Sequence, residues 1–445
     1  MTNHRNQKHL SKGLRRTALC AALGLCFAGG VHAQSNSSGA IVGRATAGET
    51  ITITNPATGF SRAITVGGDG SYRFSALPTG QYSVTTSGGG NRTVTVNVGT
   101  ASTVDFAARD ASTLDTITVV GGSSINPIDV SSVESTTILT AEQIAKVPVA
   151  RDATSVALLA PGTVRGDVAF GNLASFGGSS VAENQYFING FNITNSFRSL
   201  NFSQVPFEAI AEQQVKTGGY GAEFGRSLGG VINQVTKRGS NDFHAGASVY
   251  YTPDSLREKT RNTYLANPLA CGPAPYTACT KGQLRQDSSR DSTWDVEGSV
   301  WASGALIKDR LFAYGLIGYK RQEQELWGNV QSGTNVDNSV KTPTWLLKMD
   351  WQISDNHLLE FTGFSDKADT ETVVYGNTIG VLNRLGHIGT SYGEQGGENY
   401  VLKYTGYLTN TFTLSALYGH GEFSRGQSLR TASGVDVRYN GDLHK

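Results

Sequence analysis

After its first 33 residues, no stretch of this sequence approaches the 18 apolar residues that would mark a membrane-spanning helix. Within those 33, the apolar run "TALCAALGLCFAGGV" has 15 residues, also short of the roughly 20 that a span needs. Arg5, Lys8, Lys12, Arg15 and Arg16 precede the run, and "VHA" closes it as a small-residue cleavage pattern ending at Ala33. Residues 1–33 therefore read as a secretory signal peptide, with the mature chain starting at Gln34 outside the cytoplasm. Leu25 stands before Cys26 where a lipoprotein would have a small residue.

A surplus of one charge is missing too. Lys and Arg number 37 against 36 Asp and Glu, a net of +1, which gives no electrostatic ground for a nucleic-acid partner. Of four cysteines only Cys271 and Cys279 survive processing. In an oxidising compartment, on either side of "GPAPYTA", they are expected to form a disulfide that clips a loop. Metal binding is the lesser alternative, because no His lies near them. His244, His357, His387, His420 and His444 have no zinc spacing, and the Gly-x-Gly matches lie in loops. Neither an enzyme, a cofactor nor a metal is expected.

What the chain has in excess is glycine, 54 residues of 445, well above the usual share of about 7%. With abundant Thr, Ser, Val and Tyr this predicts turn-rich, mainly β structure. Residues 38–108 hold seven short alternating segments, from "AIVGRAT" to "STVDFAA", parted by turns such as "GGDG" and "LPTG". That spacing predicts a small β-sandwich. Residues 123–240 change texture to α+β. Thr140 and Asp152 are candidate N-caps for two short helices, the second stopped by Pro161 and Gly162. "FGNLASFGGSS", at 170–180, shows almost no core-forming character and suits an apical loop, whereas Tyr186, Phe187 and Phe191 suit the core more than a ligand-stacking role.

From residue 241 onward, strands alternate apolar and polar faces. In "TWLLKMDWQI" Trp345, Leu347, Met349, Trp351 and Ile353 oppose Lys348, Asp350 and Gln352. Seven strands can be placed, at 243–252, 294–302, 311–321, 344–353, 357–365, 400–408 and 412–423. Their connections alternate between long ones (253–293, 322–343, 366–399) and short turns such as "SDN" and "TNT". Such alternation is that of an outer-membrane barrel, with long loops outside and short turns in the periplasm. Tyr250, Tyr251, Trp301, Trp345 and Trp351 suit an aromatic girdle at the membrane interfaces.

Two stretches carry a family resemblance. The "GSYRF…LPTGQYSV" run resembles the carboxypeptidase regulatory-like domain, an accessory sandwich without catalytic residues. "LLAPGTV", "AENQYFINGFNIT" and "VKTGGYGAEFGRSLGGVINQVTKRGSNDFHA" resemble the plug of TonB-dependent outer-membrane receptors, in particular the Oar-like (OmpA-related) group. The resemblance implies a receptor that binds a ligand outside and imports it with energy transduced from the inner membrane. Its partners would be a periplasmic TonB-type protein, an extracellular ligand of unknown class and outer-membrane lipid. A surface adhesin or carbohydrate-binding protein using the sandwich is the alternative.

In such receptors a TonB box precedes the plug. Leu114, Asp115, Thr116, Ile117, Thr118, Val119 and Val120, within the 113–122 linker, occupy that place. A lone β-prone segment there can add as a strand to a partner's sheet edge. The other reading is a last strand of the sandwich; Gly121 and Gly122 favour a free segment. The resemblance also implies a plug that moves within the barrel, which favours a polar, glycine-rich contact with the wall. Glu223 and Arg226 are candidates for plug–barrel charge pairing. Plugged barrels have about 22 strands. About seven strands over 241–445, and a terminal "NGDLHK" with no closing strand, lead us to expect an incomplete barrel and a reading frame that continues.

Overall fold

The structure is a computed structural model that describes residues 37–106, 135–167, 170–195, 202–264, 284–327, 333–379, 381 and 383–444. The leader, the 114–120 stretch, Cys271 and Cys279 fall outside the described residues.

The first unit is a two-sheet sandwich. Ser71–Leu77, Gly39–Arg44 and Ala101–Thr103 form one sheet, and Ser61–Thr65, Thr50–Thr54, Gly80–Thr86 and Asn91–Val96 the other. These are the seven segments that the alternation marks. Every second side chain enters the space between the sheets, so Ile51, Ile53, Tyr72, Phe74, Tyr82 and Val84 are buried while Arg73 and the threonines face water. The "GGDG" turn closes at Gly70, whose φ of 72° lies in the left-handed region that glycine enters without steric cost.

The central unit is an α+β layer. Thr140 caps Ala141–Lys146 with a reciprocal capping box through Gln143, and Asp152 accepts from the Ser155 backbone to start Ala153–Ala157. Its five-stranded sheet runs in the order Phe191–Asn192, Gln185–Ile188, Val231–Thr236, Ile210–Gly218, Ser135–Thr140. Tyr186 and Phe187 are core, as expected, while Phe191 packs half-buried against it. The 170–180 segment departs from expectation. Ala174–Phe176 pairs with Thr163–Arg165, and Leu173, Ala174 and Phe176 are buried. The Phe176 ring lies against Gly230, where a Cβ would come within 2.3 Å of it. Phe176, with Leu173 and Ala174, anchors the segment.

The third unit is an open antiparallel sheet of long strands that wraps the central unit. His244–Thr252, Ser292–Ile307, Leu311–Leu326 and Thr334–Ser354 pair in sequence. The next two rods are each broken in the middle. His357–Ser365 resumes as Ala368–Gly376, and His387–Gly396 as Glu398–Tyr407. Thr413–Thr431 follows and pairs on its far side with Asp436–His444. The seven expected strands thus become eight rods, because "DVRYNGDLH" is a strand despite its turn-like Asn-Gly-Asp. The rods are also longer than expected, 16, 21 and 19 residues for Leu311–Leu326, Thr334–Ser354 and Thr413–Thr431. Most of the expected loops 322–343 and 366–399 is therefore ladder, leaving 327–333 and 377–386 as connections. Segments such as "NVDNSV" and "DTETVV" show no alternation of polarity, yet backbone pairing needs none.

Burial in this wall runs opposite to that in the sandwich. Val249, Tyr251 and Trp351 are exposed on the outer face, at 76%, 62% and 46%, while Lys348, Asp350, Glu360 and Lys403 are buried on the inner face. An apolar outer band and a polar interior fit a lipid-facing barrel wall. Of the five expected girdle aromatics, Tyr251 and Trp351 face outward, with Trp345 at the same alternation as Trp351. Tyr250 and Trp301 instead face inward, Tyr250 bonding Glu208 and Trp301 stacking on Tyr314. The contact between wall and central unit is also more apolar than expected. Tyr314, Leu316, Leu346 and Phe364 join one core cluster with Ile188, Phe202, Ala209 and Ile210.

Candidate functional site

Besides that apolar contact, two charged sites among the described residues join the central unit to the wall. The first lies toward the long-connection end. Arg151, two residues before the second helix, points its guanidinium at Glu208 (2.7 Å) and Glu297 (3.9 Å). It stacks over the rings of Phe207 and Tyr250, with the Tyr250 hydroxyl donating to Glu208 at 3.0 Å. Burial would raise the Glu208 pKa, but Arg151 and the Tyr250 hydrogen bond outweigh it and hold the carboxyl below its usual range. Beside this hub opens a cavity of about 290 Å³ between the central unit and the wall. Gln204, Gln322, Gln395, Thr342 and Thr344 face it, with Phe207 as an apolar flank. The Asp366 carboxylate accepts from the Gln204 and Gly397 backbones, both at 3.0 Å, and so ties the cavity rim to both strand breaks.

The second place lies toward the short-turn end. Arg238, at the exit of the central sheet, donates to Glu360 at 2.7 Å and approaches Asp350 at 3.8 Å. Lys348 lies 3.7 Å from Glu360 and 3.9 Å from Asp350, and Lys403 lies 3.3 Å from Glu360. Burial alone would lower the Arg238 pKa; Asp350 and Glu360 outweigh it, and the net shift is upward. Three cations and two carboxylates share this dry site. An ion pair of this kind costs several kcal/mol in desolvation and holds only while its partners stay in place.

The sandwich closes the same end. Lys403 donates to the Ser37 hydroxyl at 2.7 Å, and the Tyr407 hydroxyl to the Ala76 carbonyl at 2.8 Å. Arg62 lies 3.8 Å over the Tyr407 ring, which belongs to the sandwich core. On the central unit, Glu212 accepts from the Val98 backbone at 2.9 Å and the Gln214 amide donates to the Val98 carbonyl at 3.0 Å. Burial raises the Glu212 pKa to about 7, partly offset by the Val98 N–H and by Arg238.

Glu223 and Arg226 stand exposed on and after the turn Ala222–Phe224, Arg226 with a φ of 71°. Among the described residues, the ion pairs between central unit and wall run through Arg151 and Arg238 instead. The polar faces of the strands signalled Lys348 and Asp350 as inward groups. Nothing in the spacing joined them to Arg238, which is 110 or more residues away in sequence.

Comparison with known proteins agrees with this architecture. Residues 37–109 match the carboxypeptidase regulatory-like domain, and residues 129–231 match the TonB-dependent receptor plug domain. The TonB-dependent transporter Oar of Myxococcus xanthus is 30% identical over 280 residues, covering 57% of this chain and 25% of that protein. The ferrienterobactin receptor of Escherichia coli (strain K12) is 26% identical over 181 residues, covering 36% and 24%. Among solved structures, a ferric enterobactin receptor of Pseudomonas aeruginosa aligns with a TM-score of 0.44 at 15% identity, over 70% of this chain and 45% of that one. The siderophore receptor PirA of Acinetobacter baumannii aligns at 0.42 and 17%, over 71% and 44%. The chain spans about a quarter of the length of the curated relatives it matches.

Proposed function

We propose that this chain is a TonB-dependent receptor of the outer membrane, which binds an extracellular ligand and imports it with energy drawn from the inner membrane. The observation that carries the reading is a plug held inside an apolar-outside wall, with a polar cavity on the long-loop side. Ligand would enter between the loops and reach Gln204, Gln322 and Gln395. Beside that cavity Arg151, Glu208 and Glu297 pair with one another, and the Asp366 carboxylate is taken up by backbone N–H groups. Free amides and hydroxyls therefore suit a ligand recognised by hydrogen bonding more than by charge.

The box at 114–120 would then add as a strand to the TonB-type partner, and its backbone N–H groups would supply much of the affinity. Replacing Ile117 by Pro removes one of those donors and fixes φ. The full chain in detergent should bind the periplasmic domain of a TonB protein, and Ile117→Pro should weaken that binding at least ten-fold. Equal binding of both would remove the box from 114–120. An adhesin built on the sandwich is less favoured, because the sandwich is docked at the short-turn end, away from the long loops.

A further inference from the structure

The sandwich touches more than a rim. It meets the wall at Ser37, Ala76 and Arg62, the plug at Val98, and the plug–wall junction where the Asn241 N–H donates to the Ala57 carbonyl at 2.8 Å. One side chain, Lys403, is common to two of these systems. Its ammonium donates to Ser37 of the sandwich and pairs with Glu360, which in turn holds Arg238 of the plug. Lys403 and Glu360 are 6% and 8% exposed. The sandwich is therefore one wall of the compartment that keeps the plug–barrel ion network dry.

We propose that the N-terminal sandwich is a latch: docked, it keeps water out of the Arg238–Glu360–Lys403 network and holds the plug fast, and its undocking loosens the plug. The physical reason is the dependence of ion pairs on their surroundings. A pair that is strong in a low-dielectric site loses most of its strength when water reaches it. Lifting Ser37 and Val98 away exposes Lys403 on one side and Glu212 on the other, so one movement wets the network. The 114–120 box lies in the chain between the sandwich and the plug, so a pull on it loads the dock directly. The proposal goes beyond the import reading and is tested without any ligand.

The full chain in detergent would carry Gly59→Cys and Asp309→Cys. A Cβ at residue 59 stands 3.2 Å from the Asp309 Cβ, within a few tenths of an ångström of a disulfide's span. The same chain would carry Ser37→Ala and Tyr407→Phe, which delete two docking hydrogen bonds and spare the ion network. Amide hydrogen exchange is then read over 96–99, 210–218 and 231–236. Reduced, the loosened chain should exchange about ten-fold faster than its parent in all three segments, as two lost hydrogen bonds imply. Oxidised, it should return to the parent's rates. Faster exchange at 96–99 with unchanged 210–218 and 231–236 would make the sandwich a passenger and overturn the latch. A loosened chain that exchanges no faster anywhere would overturn the docked geometry itself.

Discussion

The sandwich and the wall are built from the same element, an antiparallel strand whose side chains alternate with period two, and they put that alternation to opposite use. In the sandwich Phe74 and Tyr72 turn inward and Arg73 turns to water. In the wall Lys348 and Asp350 turn inward and Trp351 and Ile353 turn out. Backbone geometry is indifferent to the choice; the surroundings of each face decide it. Water outside forces apolar groups in, whereas lipid outside and plug charges such as Arg238 inside reverse the assignment for Lys348 and Asp350.

That contrast can be broken by moving one charge. Phe74→Arg places an unpaired cation in the sandwich core and should unfold that unit outright, at a cost of several kcal/mol; loss of protection across 39–103 in hydrogen exchange would show it. Next in size is Arg238→Ala, which leaves Asp350 and Glu360 to Lys348 and Lys403 alone, and the loss of a hydrogen bond between charged groups should cost about 2–3 kcal/mol. It is read as a fall in the denaturation midpoint of the plug, and an unchanged midpoint would mean that the network contributes nothing. Val300→Arg sharpens the comparison further. Val300 is 57% exposed, so a soluble protein would accept the change, but on a lipid face it should cost about 2–4 kcal/mol near the membrane midplane. Folding yield into lipid vesicles measures this, and equal yields would argue that the face does not meet lipid.

The smallest effect concerns pH at the junction of sandwich and plug. Glu212 has its pKa raised from 4.5 to about 7 by burial, so the folded state favours its protonated form. Its contribution is fully present below pH 4.5 and is lost as pH rises through 7, so stability should decline across that window and level off above it. Glu212→Gln keeps the acceptor for Val98 and should flatten the decline, worth on the order of 1–3 kcal/mol. A wild-type melting curve that is flat from pH 4.5 to 7 would remove Glu212 from the account.

Some of this was written locally and some was not. The sandwich strands, the caps at Thr140 and Asp152 and the short turns of the wall were legible because each depends on neighbours a few residues away. The 170–180 segment misled because one of its two aromatics, Phe176, finds its pocket at Gly230, far along the chain. Tyr250 and Trp301 misled for a related reason. Their placement near strand ends was readable, but which face each presents depends on register against the neighbouring strand.

By itself the sequence determined the order of the units, the period of the seven strand cores marked in the wall and the apolar face that would meet lipid, since these follow from spacing and composition. Only the tertiary structure decided what the polar faces are for. It brought Arg238 of the plug, Glu360 and Lys403 of the wall and Ser37 of the sandwich into one dry site, from positions up to 366 residues apart. Charges attract over ångströms of space, whatever the length of chain between them, and only folding sets those distances.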